Sequence, residues 1–587
     1  MAGSTGGIFE ARWRGNNQTL NSETWNSKAA VLALGLLLTG AHASAQTERP
    51  VPELVERDGR FALMVDGAPW LILGAQTNNS SNYPAMLPKV WPAVSMMHAN
   101  TVVIPVAWEQ VEPEEGTFDF SFVDTLVTEA RERDLRLVLL WFATWKNNGP
   151  NYAPEWVKLD NARFPRVITA EGGTLNSLSP HFRSTLEADK NAFVRLMRHL
   201  AAIDPQRTVI MMQVQNEVGS YGSPRDFSDT AEALFRERVP DELVRDMNRK
   251  SGDWRAVFGD DADEFFHAWH IARYCGEIAT AGKEAYPLPM YVNVALRHPV
   301  NPGKPGSYSS GGPTDNVIPV WKSAAPGIDM ISPDIYFREH KIVTQVMDLY
   351  RRPDNALYIS EIGNAQPYAR YFFSALGRQG IGFAPFGTDY SDYSNYPLGA
   401  ERMDDKTLVH FARPYELFAP MAREWAKLSF ESRVWGVSEP IDTDPVADLW
   451  HPPSGDEPAE PVQHLDLGTW KAEVTYGRPM FGPQPPAGND PSSGGVVIAE
   501  LGPDEYLVTG FDARVSFSPS RELDGRQMIY ARVEEGHFKD GQWVFERIWN
   551  GDQTDWGLNF SGNPHVLKVR LATYEVEKRT NRKRNAN

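Results

Sequence analysis

Short apolar runs recur along the first two thirds of the chain, and segments with helical periodicity separate them. Runs that are apolar at successive positions are typical of parallel strands buried on both faces. Amphipathic stretches such as 122–134 and 184–203 predict intervening helices. Strands that alternate with helices predict an α/β fold, here a (β/α)8 TIM barrel. The eight predicted strands cover residues 71–76, 101–106, 135–141, 209–216, 290–294, 330–336, 357–360 and 381–386.

The pattern changes after residue 431. Segments 508–511, 527–533 and 543–549 are short alternating runs, and turn residues such as Lys539-Asp540-Gly541 separate them. These features predict a smaller C-terminal β-sandwich domain. The predicted domains are a leader and signal peptide at 1–45, a catalytic barrel at 46–430, the β-sandwich at 431–577 and a basic tail at 578–587.

The N-terminal segment has the pattern of a secretory signal. Lys28 precedes an apolar run at 29–38, and Ala43-Ser44-Ala45 supplies a small-residue cleavage site. The run is too short for a comfortable transmembrane helix. We therefore expect cleavage after Ala45 and export to the periplasm or the medium.

Composition narrows the classes of partner. The 587 residues carry a net charge of −18, which argues against nucleic acid or an anionic membrane as partner. The single cysteine, Cys275, cannot form an internal disulfide and fits a packed helix better than a nucleophile. Since no Cys/His cluster has metal-ligand spacing, we expect no metal and no cofactor. The sequence leaves a homo-oligomer open.

Two of the predicted strands lead into a glutamate, Glu217 after 209–216 and Glu361 after 357–360. In a (β/α)8 barrel, strand ends of this kind lie on the catalytic face. Two carboxylates there are the minimum that retaining glycoside hydrolysis requires, since one protonates the leaving oxygen while the other attacks the anomeric carbon. A lone glutamate at either position would more often be a solvated residue.

A third segment carries a family resemblance. It contains Asn100-Thr101-Val102, Trp108, Glu112-Pro113 and Gly116-Thr117-Phe118-Asp119-Phe120. Together with Asn216-Glu217 and Ser360-Glu361, it is similar to the β-galactosidases of glycoside hydrolase families 35 and 42. The closer resemblance is to bacterial family 35 members with a β-rich C-terminal domain, over roughly residues 50 to 575.

The resemblance implies roles for four residues. Glu217 would be the acid/base and Glu361 the nucleophile. Asn216 would hold the sugar 2-hydroxyl, a contact that strengthens in the transition state, or would cap backbone groups at the strand end. Tyr336 would donate a hydrogen bond to the nucleophile, or would be an ordinary core tyrosine.

Three further residues are candidates with open alternatives. Asn293 and Trp141, at the predicted ends of strands five and three, could line the substrate pocket or pack in the core. Glu109 could bind the 4-hydroxyl side of galactose or pair with a nearby arginine. The tyrosine-rich loop 387–396 suits sugar recognition and subunit contact equally.

These features predict an exo-acting retaining β-galactosidase that releases terminal β-galactose from oligo- or polysaccharide side chains. The resemblance suggests xyloglucan as one such polymer. One alternative is another retaining β-glycosidase on the same barrel, because a fold does not determine a substrate. A second alternative, from another class, is a non-catalytic carbohydrate-binding protein. Assays on a panel of nitrophenyl glycosides distinguish the β-galactosidase hypothesis from these alternatives.

Overall fold

Within residues 49–442, eight parallel strands close into a barrel in the order β4-β5-β6-β9-β10-β11-β12-β13. In chain order the strands of this region are β1 (Glu53–Arg57), β2 (Arg60–Val65), β3 (Ala68–Trp70), β4 (Ile72–Gln76), β5 (Thr101–Ala107), β6 (Arg136–Lys146), β7 (Arg166–Ile168), β8 (Thr174–Leu178), β9 (Val209–Asn216), β10 (Met290–Ala295), β11 (Met330–Ile335), β12 (Ile359–Ile362) and β13 (Gly382–Pro385). The structure is a computed structural model and describes residues 49–442, 459–479, 484–523, 525–562 and 564–576.

The barrel helices pack around these strands and follow the predicted alternation of strand and helix. They are α1 (Leu87–Met96), α2 (Trp108–Val111), α3 (Ser121–Glu132), α4 (Glu155–Lys158), α5 (Arg183–Ile203), α6 (Asp229–Phe235), α7 (Asp241–Asp246), α8 (Trp254–Phe258), α9 (Ala262–Ala285), α10 (Ile318–Ala324), α11 (His340–Tyr350), α12 (Tyr371–Gly377), α13 (Asp405–Phe418) and α14 (Ala422–Glu431). Cys275 is buried within α9. No helix in the described ranges is long and apolar enough to cross a membrane.

Alternation along the strands divides the core into two layers. On β6, Leu139 and Trp141 join the cluster between strands and helices, whereas Leu140 joins the cluster inside the barrel. Successive strand side chains point to opposite faces, so each strand contributes to both layers. Leu63 of the antiparallel β1–β3 sheet also packs into the inner cluster and thereby helps to close the N-terminal end of the barrel.

The described C-terminal region contains two antiparallel sheets, ordered β14-β17-β18-β23-β20-β21 and β15-β16-β19-β22. Apolar residues of both sheets form one core between them, as in a β-sandwich. The fold prediction, a TIM barrel followed by a β-sandwich, is therefore confirmed. The strands are β14 (Val434–Ser438), β15 (Val462–Asp466), β16 (Trp470–Tyr476), β17 (Gly495–Gly502), β18 (Glu505–Phe511), β19 (Ala513–Pro519), β20 (Arg526–Lys539), β21 (Gln542–Ile548), β22 (Leu558–Asn559) and β23 (His565–Glu575).

The larger sheet packs against the barrel through α12. A Cβ on Gly377 would collide with the backbone of Gly436, so this glycine pair allows helix and strand to approach closely. Nearby, the ring centroids of Phe373 and Phe511 lie 6.0 Å apart. This apolar contact makes the sandwich a packing partner of the barrel.

Strand boundaries differ from the predicted ones mainly at β6, which extends to Lys146 instead of ending at Trp141. The predicted signal peptide with its cleavage site and the basic tail at 578–587 lie outside the described residues.

Candidate active site

Three carboxyl groups meet at the carboxyl end of the barrel. Glu217 follows β9, Asp334 lies in β11 and Glu361 lies in β12. One oxygen from each lies within 4.8 Å of the other two. Parallel pairing places Asp334 directly beside Glu361. The sequence therefore identified two members of this cluster and missed Asp334, whose only signal is that it is the one charged residue of β11.

Glu361 is held by two hydrogen-bond donors. Gln76 Nε2 donates to its Oε2 at 2.7 Å, and the Tyr336 hydroxyl donates to its Oε1 at 2.6 Å. Burial raises the pKa of Tyr336 well above its ordinary value, so this hydroxyl keeps its proton and remains a donor. Donors aimed at both oxygens stabilise the charged carboxylate. Gln76, at the end of β4, is a site residue that the sequence did not indicate.

Glu217 lies on an unusual stretch of backbone. Gln215 has φ +66° and Glu217 has φ +46°, in the left-handed region that costs a non-glycine residue about 1–3 kcal/mol. The Gln215 side chain accepts from the Trp145 amide at 3.0 Å and donates to Asp189 at 2.7 Å. These contacts hold the irregular strand end that directs Glu217 into the barrel mouth, the opening at the carboxyl ends of the eight strands.

Burial raises the pKa of Glu217 to about 7. Lys146 Nζ lies 3.9 Å from Glu217 Oε2 and acts in the opposite direction, because a positive charge favours the carboxylate. The negative charge of Glu361 raises the pKa further. Glu217 can therefore hold a proton near neutral pH and can also release it.

Asn293 connects two of the carboxyl groups. Its Oδ1 accepts from the Glu217 amide at 2.9 Å, and its Nδ2 donates to Asp334 Oδ2 at 2.6 Å. Burial raises the pKa of Asp334 well above its ordinary value, and the neighbouring glutamates raise it further. Asn293 thus lies within the site, where it orients the groups around it.

Several buried amide atoms at the mouth lack a protein hydrogen-bond partner among the described residues. Both side-chain polar atoms of Asn216 have none, and neither have Gln76 Oε1, Asn78 Oδ1 and Asn82 Oδ1. A buried unpaired polar atom costs about 1–3 kcal/mol. Ligand hydroxyl groups would satisfy these atoms, so the arrangement suits a polyhydroxylated ligand.

Trp141 does not line the site, which corrects one of the two alternatives left open by the sequence. Its indole Nε1 donates to Asp189 of α5 at 2.8 Å, and its ring packs against Phe193 with centroids 5.7 Å apart. The physical reason is the longer strand: β6 reaches the mouth at Lys146, and Trp141 lies mid-strand on the helix-facing side. Trp141 still supports the site indirectly, since Asp189 also accepts from Gln215.

Glu109, in the short helix α2, accepts from Lys158 Nζ at 2.7 Å. Of the two alternatives for Glu109, this contact fits the ion pair and not the sugar contact, although the partner is a lysine and not the expected arginine.

In the loop after β13, Asp389 accepts from the Asn78 backbone amide at 2.8 Å and from Asn78 Nδ2 at 2.9 Å. That loop therefore ties down the polar side of the mouth.

A cavity of about 600 Å³ opens beside Glu217. Asp334 and Tyr336 also border it, and its outer wall is aromatic, with Tyr221, Tyr308 and Phe337.

The carboxyl groups of Glu217, Asp334 and Glu361 are close enough to share a cation. However, an ammonium group is already beside Glu217, and the raised pKa values of Glu217 and Asp334 disfavour a fully ionised ligand set.

The barrel and its carboxylate pair have the character of a glycoside hydrolase, and comparison with known families points within that class to the β-galactosidases. Residues 92–270 match the family model described as β-galactosidase, that of glycoside hydrolase family 42. The matched segment includes Glu217 and ends before Glu361. Residues 411–561 match a second model, described as a domain of unknown function (DUF5597). The narrower assignment to family 35 stays a prediction.

One curated relative is a β-galactosidase from Xanthomonas manihotis, 27% identical over 209 residues. The alignment covers 35% of this chain and only 32% of the relative, so the chain spans about a third of that protein's length.

Among solved structures, the barrel is similar to a β-galactosidase from Bacillus circulans sp. alkalophilus, with a TM-score of 0.47, 13% identity and coverage of 63% of this chain and 58% of the other. A β-galactosidase from Rahnella sp. R3 gives a TM-score of 0.44 and 15% identity, covering 62% of this chain and 61% of the other.

Proposed function

We propose that the protein is an exo-acting retaining β-galactosidase with Glu361 as nucleophile and Glu217 as acid/base. The observation that carries the proposal is the pair of strand-end glutamates with carboxyl oxygens within 4.8 Å of one another. This proximity fits the separation of about 5 to 5.5 Å in retaining enzymes, whereas inverting enzymes need about 6.5 to 9.5 Å to admit a water molecule.

In the first step, the Glu361 carboxylate attacks the anomeric carbon and the glycosidic carbon–oxygen bond breaks. Glu217 donates its proton to the departing oxygen, for which its pKa of about 7 is suited. Tyr336 and Gln76 hold Glu361 in position for the attack. The product of this step is a galactosyl ester on Glu361 and a free leaving group.

In the second step, Glu217 accepts a proton from water, which attacks the anomeric carbon and releases Glu361. Esterification has removed the charge of Glu361, which raised the pKa of Glu217. That pKa therefore falls, and Glu217 becomes a carboxylate that can act as base. Lys146 stabilises this charged form.

Exo action is supported by contacts that close the polar side of the mouth. The loop after β4 is bound to the loop after β13 through Asn78 and Asp389. The loop after β4 is also bound to α2, because Gln110 Oε1 accepts from Asn82 Nδ2 at 2.8 Å. We expect a side bordered by such fixed loops to favour a terminal sugar over a continuous chain. Galactose-bearing side chains such as those of xyloglucan are the proposed natural substrates.

Nitrophenyl β-galactoside, β-glucoside and β-mannoside, assayed with the purified protein, test the choice of sugar. We expect the highest kcat/KM on the galactoside, and proton NMR of the first product should show the β-anomer. A preference for another sugar would establish a different retaining glycosidase. No turnover of any glycoside by folded protein, together with sugar binding, would establish the non-catalytic alternative.

Export is a further part of the proposal and rests on the signal-like segment around Ala43-Ser44-Ala45. N-terminal sequencing of protein expressed in a Gram-negative host should show a mature chain that begins at Gln46. A cytoplasmic product that retains Leu34 to Leu38 would contradict it.

A further inference from the structure

The cavity beside Glu217 lies on one side of the carboxyl cluster. Its lining comes from the residues that follow β9, from the last residue of β10 with the residues that follow it, and from β11 with the residues that follow it. The unpartnered amide atoms of Gln76, Asn78 and Asn82 belong to β4 and the loop after it, and none of these residues borders the cavity. The mouth therefore has a polar, amide-lined side and an aromatic side that contains Glu217.

The aromatic side is built by two loops bound to each other. The Ser220 amide donates to the Ser310 carbonyl at 2.9 Å, and the Ser310 amide donates back to Ser220 at 3.1 Å. The Gly222 amide donates to the Gly306 carbonyl at 2.8 Å. These bonds flank Tyr221 on both sides, so the loop that carries it is held in place without ligand.

Tyr221 has the form of a stacking platform. Its side chain is 46% exposed and borders the cavity, whereas Tyr308 and Phe337 are buried in the wall behind. Burial and the negative charge of Glu217 raise the pKa of Tyr221 to about 12, which is consistent with a ring close to that glutamate. Exposed aromatic rings at a cavity present an apolar face to a ligand and a polar edge to water.

Charge at the cavity favours a neutral ligand. The guanidinium of Arg297 forms two hydrogen bonds to Asp315, at 2.6 and 2.7 Å, so its charge is already compensated. The other titratable groups at the cavity include the carboxyl groups of Glu217 and Asp334 and the imidazole of His298, whose Nδ1 accepts from the Val300 and Asn301 amides. An anionic ligand would therefore gain little here.

We propose that this cavity is the leaving-group subsite and takes a neutral sugar whose ring stacks on Tyr221. The inference rests on the proposed function, because the group that departs must lie on the side of the acid that protonates it. The volume of about 600 Å³ has room for a leaving group of oligosaccharide size. The amide-lined side of the mouth is then left for the galactose that is transferred.

The test compares two substrates that share galactose and differ in the leaving group. The leaving group of lactose is a sugar, which would occupy the subsite. The leaving group of β-galactosyl fluoride is a single fluoride, which is too small to stack on Tyr221. For Tyr221→Ala, the ratio of kcat/KM on lactose to kcat/KM on galactosyl fluoride should fall about tenfold, the size expected for loss of one aromatic contact.

Two variants serve as references. Tyr221→Phe keeps the ring, and its ratio should stay within about twofold of wild type. Tyr574→Ala removes a tyrosine of matched exposure, 47%, in the C-terminal domain, and should leave the ratio at the wild-type value. Melting temperatures of all variants show whether each is folded.

An unchanged ratio in folded Tyr221→Ala would overturn the subsite assignment and leave the proposed function standing. Equal losses on both substrates would also overturn it, because they would place Tyr221 in the chemistry common to both. If folded wild-type protein does not hydrolyse galactosyl fluoride, the proposed function fails, and the subsite fails with it.

Discussion

The two sides of the barrel mouth surround the same type of side chain in different ways. On the β12 side, Glu361 lies within the strand and receives hydrogen bonds from Gln76 and Tyr336. On the β9 side, Glu217 lies beyond the strand on a left-handed residue, and Lys146 remains 3.9 Å from its carboxylate. Direct donors stabilise a charge, whereas at Glu217 burial raises the pKa by more than Lys146 and a hydrogen bond with Asp334 lower it.

In the proposed mechanism this difference separates the nucleophile, Glu361, from the acid, Glu217. Glu361 receives hydrogen bonds from two side chains, that of Gln76 at the end of β4 and that of Tyr336 directly after β11, and both stabilise its carboxylate. Glu217 has a pKa of about 7 because it is buried and near another carboxylate. The surroundings, and not the residue type, would set the two proposed roles.

Removal of Glu361 is expected to have the largest effect. Glu361→Ala should lower kcat on the order of 10³-fold or more, because no covalent intermediate can form. Added azide should restore turnover and give a galactosyl azide of inverted configuration. If the folded variant keeps more than about a tenth of wild-type kcat, a difference of under about 1.4 kcal/mol, then Glu361 is not the nucleophile.

Glu217→Ala should show an effect that depends on the leaving group. For lactose, kcat/KM should fall about 10²- to 10⁴-fold, because the departing oxygen needs a proton. For dinitrophenyl galactoside, whose leaving group needs none, the fall in kcat/KM should be much smaller. Equal losses of kcat/KM on both substrates would contradict the assignment of Glu217 as the acid that protonates the leaving group.

Tyr336→Phe should slow catalysis without unfolding the protein. Loss of a hydrogen bond to a charged group costs about 1.5–3 kcal/mol, so kcat should fall roughly 10- to 100-fold. The matched control is Tyr358→Phe, because the Tyr358 hydroxyl is also buried but has no partner among the described residues. A lower melting temperature with near-normal kcat would instead assign Tyr336 to the core.

The smallest expected effect is a shift in pH dependence. In wild type, kcat/KM should fall as pH rises above about 7, because Glu217 loses the proton it must donate. Lys146 lowers the pKa of Glu217, so Lys146→Met should raise that pKa and move this alkaline limb to higher pH. The measurement is kcat/KM against pH for both proteins. A limb that stays in place or moves to lower pH would exclude the lysine from this role.

The sequence predicted the barrel because its strands are buried on both faces and therefore stand out as apolar runs. It also predicted both glutamates, since each follows directly from such a run. It could not identify Gln76 as a partner of Glu361, because the two residues are 285 positions apart and meet only when the barrel closes. Asp334 was missed because the predicted strand continued past it to Tyr336, so it did not stand at a predicted strand end.

The pocket-lining alternative for Trp141 was wrong for a related reason. The apolar run of β6 continues to Trp145, so the end of the strand could not be read from hydrophobicity alone. An error of five residues, an odd number, also reverses the face of the strand on which a side chain lies. The residue that reaches the mouth from this strand is Lys146, whose Nζ lies 3.9 Å from Glu217 Oε2.

The most direct measurement of the division between the two glutamates is to trap the covalent intermediate. The protein would be incubated with 2-deoxy-2-fluoro-β-galactosyl fluoride, digested and analysed by peptide mass spectrometry. The predicted result is a single fluorogalactosyl group on the peptide that contains Glu361, at that residue. A group attached to Glu217 or Asp334, or turnover of galactosides to the α-anomer without any adduct, would contradict the assignment.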